Sequence, residues 1–260
     1  MSSAPRSAAV AGPLLAFERV GKSYPDGRQR IVVLKPTSFE LHRGEHMGVL
    51  GPPRAGKSTL LRLAAGVELP DEGRIEFEGR DMVRAPAVER ERLLRHGIGL
   101  VASDDWRPAK GERVVDLVAL PLLSDGATLH EARRSARRIL NWAGATDYAD
   151  DPAAALAIGE RFRVMLARAL VREPRLLLVD EPAVVPSFTE RAELYPLLRA
   201  GARACNAALV VASVDGEATK TLDTLVSIGY GELTADDGER GVVLPFPPQR
   251  PPGGLERSGS

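Results

Sequence analysis

One cysteine, Cys205, stands among 260 residues. A lone thiol excludes an internal disulfide and a cysteine-built metal cluster, so a reducing compartment fits best. Net charge is missing as well, because 35 lysines and arginines balance 35 aspartates and glutamates. That balance gives no sign of a global nucleic-acid or polyanion binder. Long apolar runs are absent too. A stretch such as "LVALPLL" at 117–123 is far short of the roughly 20 residues that span a bilayer. The opening "MSSAPRSAAVAG" lacks the compact leucine-rich core of a signal peptide. These absences lead us to expect a cytoplasmic chain whose membrane role, if it has one, comes through a partner.

What is present is ordinary in bulk and informative in pattern. Apolar residues make up 44% and charged residues 27%, enough to bury a substantial core. Residues 1–12 read as a flexible leader. Residues 13–50 look strand-rich, with β-branched and aromatic residues between Gly and Pro breaks. From Lys57 the pattern turns helical, "KSTLLRLAAG", with Gly66 placed as the C-cap. A hairpin-like piece follows at 73–79. Residues 86 to 172 read as mostly helical, with one short apolar strand at 97–101. Then "RLLLVDEP" (175–182) and "AALVVAS" (207–213) have buried-strand character, with a helical segment at about 188–204 between them. Continuous apolar strands alternating with helices predict an α/β fold built on a mainly parallel sheet covered on both faces. The last 25 residues, 236–260, are rich in Pro and Gly and read as a disordered tail.

The stretch "GVLGPPRAGKST" carries the first chemistry. Gly51, Gly56, Lys57 and Ser58 match the phosphate-binding loop pattern G-x4-G-K-S/T, between a predicted strand and a predicted helix. Backbone N–H groups of the loop and the positive end of the helix make a nest for a β-phosphate. Lys57 neutralises β/γ oxygens, and the Ser58 hydroxyl is a ligand for Mg²⁺. "RLLLVDEP" supplies the complementary half. Its strand ends in Asp180, which can hold the hydration shell of the metal, and Glu181, which can polarise an attacking water.

With these residues in view, the chain resembles the ATP-binding subunits of ABC transporters over residues 13–235. The middle section looks most like the lipoprotein-release, macrolide-export and cell-division type, and the opening also resembles polysaccharide exporters. The resemblance implies a P-loop NTPase, with a RecA-like and β-rich core at 13–85 and 173–235 and a mostly helical subdomain at 86–172. It places Tyr24 against the adenine ring and residues 51–59 (Gly51, Pro52, Pro53, Arg54, Ala55, Gly56, Lys57, Ser58, Thr59) around the phosphates. It makes Ser58 and Asp180 the Mg²⁺ ligands, and gives Glu181 and Lys57 the catalytic roles. It further implies ATP as ligand, integral membrane permease subunits as partners, and a place on the cytoplasmic side of the cell membrane. Two such cassettes, in a homodimer or with an intact paralogue, would trap ATP at their interface.

Against that family pattern several positions depart. The signature segment, "LSGGE" in the family, aligns with "LAIGE" (Leu156 to Glu160), so Ala157 and Ile158 replace serine and glycine ahead of Gly159 and Glu160. The family's glutamine falls on Ser103 and its switch histidine on Val214. The aspartate-bearing loop reads Ala183-Val184-Val185-Pro186-Ser187. Arg54 stands where the loop usually carries a small residue. Alanine removes a hydroxyl, a branched isoleucine hinders close backbone approach, and valine cannot hydrogen-bond a γ-phosphate. Losing one preorganised donor costs on the order of 10²–10³-fold in rate. Two readings therefore stand: slow ATP hydrolysis driving transport, or a pseudo-ATPase that binds nucleotide as a regulatory or structural partner. Asp104, Asp105 and Ser213 are the candidate substitutes for the missing groups.

Overall fold

The structure, a computed structural model, describes residues 12–181, 188–219 and 221–235. The leader, the tail and the loop at 183–187 lie outside the described residues, apart from Gly12.

Two sheets organise the chain. The first has four strands in the order β2-β1-β4-β5, all antiparallel: β1 (Leu15–Asp26), β2 (Gln29–Leu41), β4 (Glu72–Phe77) and β5 (Arg80–Asp81). The second has six strands in the order β10-β9-β3-β8-β7-β6. Its members are β3 (His46–Leu50), β6 (Ile98–Val101), β7 (Leu176–Asp180), β8 (Ala208–Ser213), β9 (Thr224–Gly229) and β10 (Glu232–Ala235). All neighbours in it are parallel except the β9–β10 edge. The apolar strand inside the mostly helical stretch, β6, thus belongs to the large sheet.

The alternation of side chains along each strand explains why β7 and β8 are apolar throughout. Leu176 and Leu178 of β7, with Ala208, Val210 and Ala212 of β8, face one core. Leu177 and Val179, with Leu209 and Val211, face the other. The first core also takes in Leu60, Leu61 and Leu63 of α1 (Lys57–Ala64) and the inner residues of the four-stranded sheet. The second is covered by α5 (Ile158–Leu170) and α6 (Phe188–Ala204).

A third core joins α3 (Val114–Ser124) and α4 (Leu129–Trp142) to α5. α5 is the wall common to both: Phe162 and Leu166 pack toward the sheet, Val164 and Ala167 toward α3 and α4. α2 (Ala87–Gly97) leads directly into β6, and the short α7 (Gly216–Thr219) follows β8. α1 is capped at Ala65, one residue before the predicted Gly66, which follows in the left-handed conformation at φ 62°. The Gly66 N–H donates to Leu63 O and the Val67 N–H to Arg62 O, which satisfies two carbonyls of the last turn. The basic helix run of 131–140 falls on α4. There Ala132, Ala136 and Leu140 are buried while Arg133 and Arg137 pair with Asp116 and Asp150.

Candidate functional site

The carboxyl ends of β3, β6, β7 and β8 meet at one edge of the parallel sheet, the edge where open α/β sheets bind ligands. β3 delivers the phosphate loop, β7 ends at Asp180, β8 leads to Val214 and β6 to Ser103. A cavity of about 480 Å³ opens there, walled by Tyr24, Pro53, Arg54, Lys57, Glu181 and Val214 among others.

The loop is shaped by steric necessity. A Cβ at Gly51 would lie 2.3 Å from the Ile228 carbonyl oxygen, and one at Gly56 would lie 2.7 Å from that of Val33. Gly56 also adopts φ 109°, open to glycine at little cost. It precedes α1 with no side chain capping the helix, so the first-turn N–H groups are left to an anion. Lys57 is buried, and its Nζ donates to Gly51 O at 2.8 Å and Pro52 O at 3.0 Å. The same ammonium lies 3.2 Å from Glu181 Oε1, a close charge pair without hydrogen-bond alignment. Arg54 sits at φ 65°, a left-handed conformation that costs a non-glycine residue about 1–2 kcal/mol.

Asp180 is the residue most in need of a cation. Its Oδ1 is buried without a hydrogen-bond partner among the described residues. Burial pushes its carboxyl above the usual range, while a hydrogen bond from Ser58 and the nearby Lys57 and Arg62 pull the other way. An unpaired buried carboxylate oxygen beside a serine hydroxyl and a lysine-lined phosphate loop fits a divalent ion held with a polyphosphate. Glu181 follows at φ 47°, its N–H tied to Ala212 O at 2.9 Å. The backbone is thus strained where the carboxylate enters the cavity.

Tyr24 stands at the other end of the cavity. Its hydroxyl donates to Glu68 Oε2 and lies 3.4 Å from Thr59 Oγ1. Burial and that acceptor raise the phenol above its ordinary value. Glu68, Arg62 and Val33 are site residues that motif reading misses. Arg62 Nη1 lies 3.6 Å from Glu68 and Nη2 3.4 Å from Asp104, linking the Tyr24 end of the cavity to the loop after β6.

The predicted trigger positions are placed differently. Val214 lines the cavity with an apolar side chain about half exposed. Ser103 lies exposed at the start of a 3-10 turn (Ser103–Asp105) and does not line the cavity. Residues 157–160 lie off the cavity wall, at the N-terminus of α5. There Glu160 Oε2 accepts the Ala157 N–H at 2.8 Å, which is half of a capping box. Alanine has no oxygen to return the bond, and Ile158 projects into solvent at 47% exposure. Of the candidate substitutes, Ser213 is fully buried and its Oγ accepts from the Tyr195 hydroxyl and the Asp215 N–H. Asp104 reaches the site through Arg62 and by its charge on Asp180, and Asp105 is exposed.

A phosphate loop, a strand-end Asp-Glu pair and a tyrosine-walled cavity on this two-sheet, helix-inserted frame define a P-loop nucleotide-binding cassette. The family model described as ABC transporter matches residues 34–184, more than half of the chain. The chain belongs to the ABC transporter family, as its ATP-binding part. It is 39% identical over 172 residues to the taurine import ATP-binding protein TauB of Pseudomonas aeruginosa, a match covering 65% of this chain and 60% of that protein. The chain therefore spans less than two thirds of that relative's length. It is 38% identical over 169 residues to the cell division ATP-binding protein FtsE of Escherichia coli, covering 65% and 74%. It is 29% identical over 222 residues to the lipoprotein-releasing system ATP-binding protein LolD of Pseudomonas fluorescens, covering 85% and 97%. Among solved structures, it shares the fold of the ATP-binding cassette MJ0796, a dimer bound to ADP and phosphate in a post-hydrolysis state. That match has TM-score 0.78 at 23% identity, covering 85% of this chain and 98% of the other.

Proposed function

We infer that the chain binds MgATP in the cavity between Tyr24 and Glu181 and serves as the ATP-binding subunit of a transport complex. The observation that carries this reading is that, among the described residues, the buried Asp180 Oδ1 has no hydrogen-bond partner and the phosphate-loop Lys57 has only carbonyl oxygens and Glu181 as partners.

Tyr24 offers the face of its ring to the base, since its hydroxyl is anchored elsewhere. The non-proline residues of 51–59 supply N–H groups to the phosphates, and Lys57 exchanges its carbonyl partners for phosphate oxygens. Ser58 and Asp180 would hold the magnesium ion, whose charge offsets that of the β- and γ-phosphates. Glu181, released from Lys57, orients a water toward the terminal phosphate. The N-terminus of α5 faces the site of a second cassette, a copy of this chain or an intact paralogue. Closure of that pair is coupled to permease subunits in the membrane, where this chain sits peripherally on the cytoplasmic side. No described helix is long and apolar enough to cross a membrane.

With alanine and isoleucine at 157–158 and valine at 214, hydrolysis is slow. The rival reading of a pseudo-ATPase partner gains no support from the relatives. The test is MgATP binding by calorimetry together with steady-state ATPase activity of the full chain and its Glu181→Gln variant. Binding with a low turnover that the variant lowers further is the expected result. A wild-type chain that binds no MgATP overturns the reading.

A further inference from the structure

Seven non-glycine residues among those described have positive φ, and two of them, Arg54 and Glu181, line the nucleotide cavity. Strain of this kind persists where surrounding structure over-determines it, and it clusters at functional sites. Glu181 has a reason to be there, as the carboxylate at the end of β7. For Arg54 the loop geometry alone gives none, since glycine would meet φ 65° without strain.

The three cations on the cavity wall differ in what they touch. Lys57 is held by Gly51 O, Pro52 O and Glu181. Arg62 is held by Glu68 and Asp104. Arg54 is exposed and has no hydrogen-bond or ion-pair partner among the described residues. It shares the cavity with Val214, the position whose side chain cannot donate to a phosphate. A guanidinium is a planar multi-donor cation suited to gripping a phosphate with two parallel bonds.

We propose that Arg54 is a second cationic ligand of the bound nucleotide, gripping the terminal phosphate and supplying in cis part of the positive charge and donor capacity that Ala157, Ile158 and Val214 lack. This rests on the MgATP reading of the cavity. Arg54 acts by binding: it discriminates triphosphate from diphosphate, and it keeps the triphosphate seated in a site with weak contacts from the second cassette.

The experiment is calorimetric titration of the full chain with the magnesium complexes of a non-hydrolysable ATP analogue and of ADP, for wild type, Arg54→Gly and Arg54→Gln. Glycine removes both charge and strain. Glutamine keeps a Cβ in the left-handed conformation and removes only the charge. Both variants should bind the triphosphate about tenfold more weakly, the scale of one charge-assisted hydrogen bond, with ADP affinity within about twofold of wild type. Arg54→Gly should also melt at a higher temperature without nucleotide, and Arg54→Gln should not. Unchanged triphosphate affinity in both variants overturns the proposal alone, as does an equal loss for both nucleotides. Unchanged affinity with loss of the nucleotide-bound dimer assigns Arg54 to the second cassette, and overturns it too. Wild type failing to bind either nucleotide overturns the site reading beneath it.

Discussion

The chain's own half of an ATP site and the half it would lend to a second cassette are built to different standards. On the first, β3, β7 and β8 bring a fitted phosphate loop, a buried Asp180 and a strained Glu181 to one cavity. On the second, the start of α5 keeps its backbone cap from Glu160 but lacks the hydroxyl at 157 and the bare backbone at 158. Both halves rest on equally well-buried cores. The difference therefore lies in the chemistry of a few exposed side chains and not in the fold. A cassette can keep the frame that holds ATP while losing the groups that act on it.

The comparison can be broken most directly at Lys57. Lys57→Ala should weaken MgATP binding by roughly 100-fold, because it removes the buried cation that would neutralise the β- and γ-phosphates. Calorimetry showing near-normal affinity would mean that the first half is not the binding half. Next comes the repair of the second half. The combined Ala157→Ser, Ile158→Gly and Val214→His change should raise steady-state turnover on the order of 10²-fold, the scale of restored transition-state donors. No gain would locate the limit elsewhere. Glu181→Gln should lower residual turnover by at least about tenfold while leaving MgATP binding intact. Tyr24→Ala should weaken nucleotide binding by roughly fivefold to tenfold, the worth of one stacking contact, measured by the same titration.

The smallest effect sharpens the idea that the frame itself is sound. His46, at the start of β3, is 2% exposed, and its ring nitrogens have no hydrogen-bond partner among the described residues. Burial lowers its pKa, with Arg203 and Arg199 acting the same way and Asp223 opposing. A group with a depressed folded pKa contributes stability that is present above its unfolded value near 6.5 and lost as pH falls toward the folded one. The denaturant midpoint should therefore fall as pH drops below about 6.5, and His46→Leu should flatten that slope. An unchanged slope in the variant would assign the pH dependence to other groups.

How much of this was legible in the sequence varied with range. The phosphate loop, the left-handed Gly66 just past the end of α1, the buried character of β7 and β8 and the place of Asp180 and Glu181 at the end of β7 all follow from local pattern and spacing. Glu68 and Arg62 were invisible because no motif marks them. Glu68 meets Tyr24 across 44 residues only when β1 and the end of α1 are packed together. Ser213 read as a spare hydroxyl until Tyr195 and the Asp215 N–H were seen to occupy it. The strain at Glu181 was equally hidden, since a left-handed glutamate looks like any other in a sequence. Arg54 lay between these cases. Its departure from a small residue was readable, and its positive φ and lack of a partner were not.

The order β3-β8-β7 makes the sheet a ruler. Neighbouring strands stand about 4.8 Å apart, so inserting β8 sets the carboxyl ends of β3 and β7 two spacings, about 10 Å, from each other. Backbone hydrogen bonds fix that interval, whatever side chains the strands carry. The first residues of α1 reach across that gap, with Lys57 Nζ 3.2 Å from Glu181 and Ser58 hydrogen-bonded to Asp180. Sequence drift in the loops can thus erode what happens in the gap and leave its width untouched.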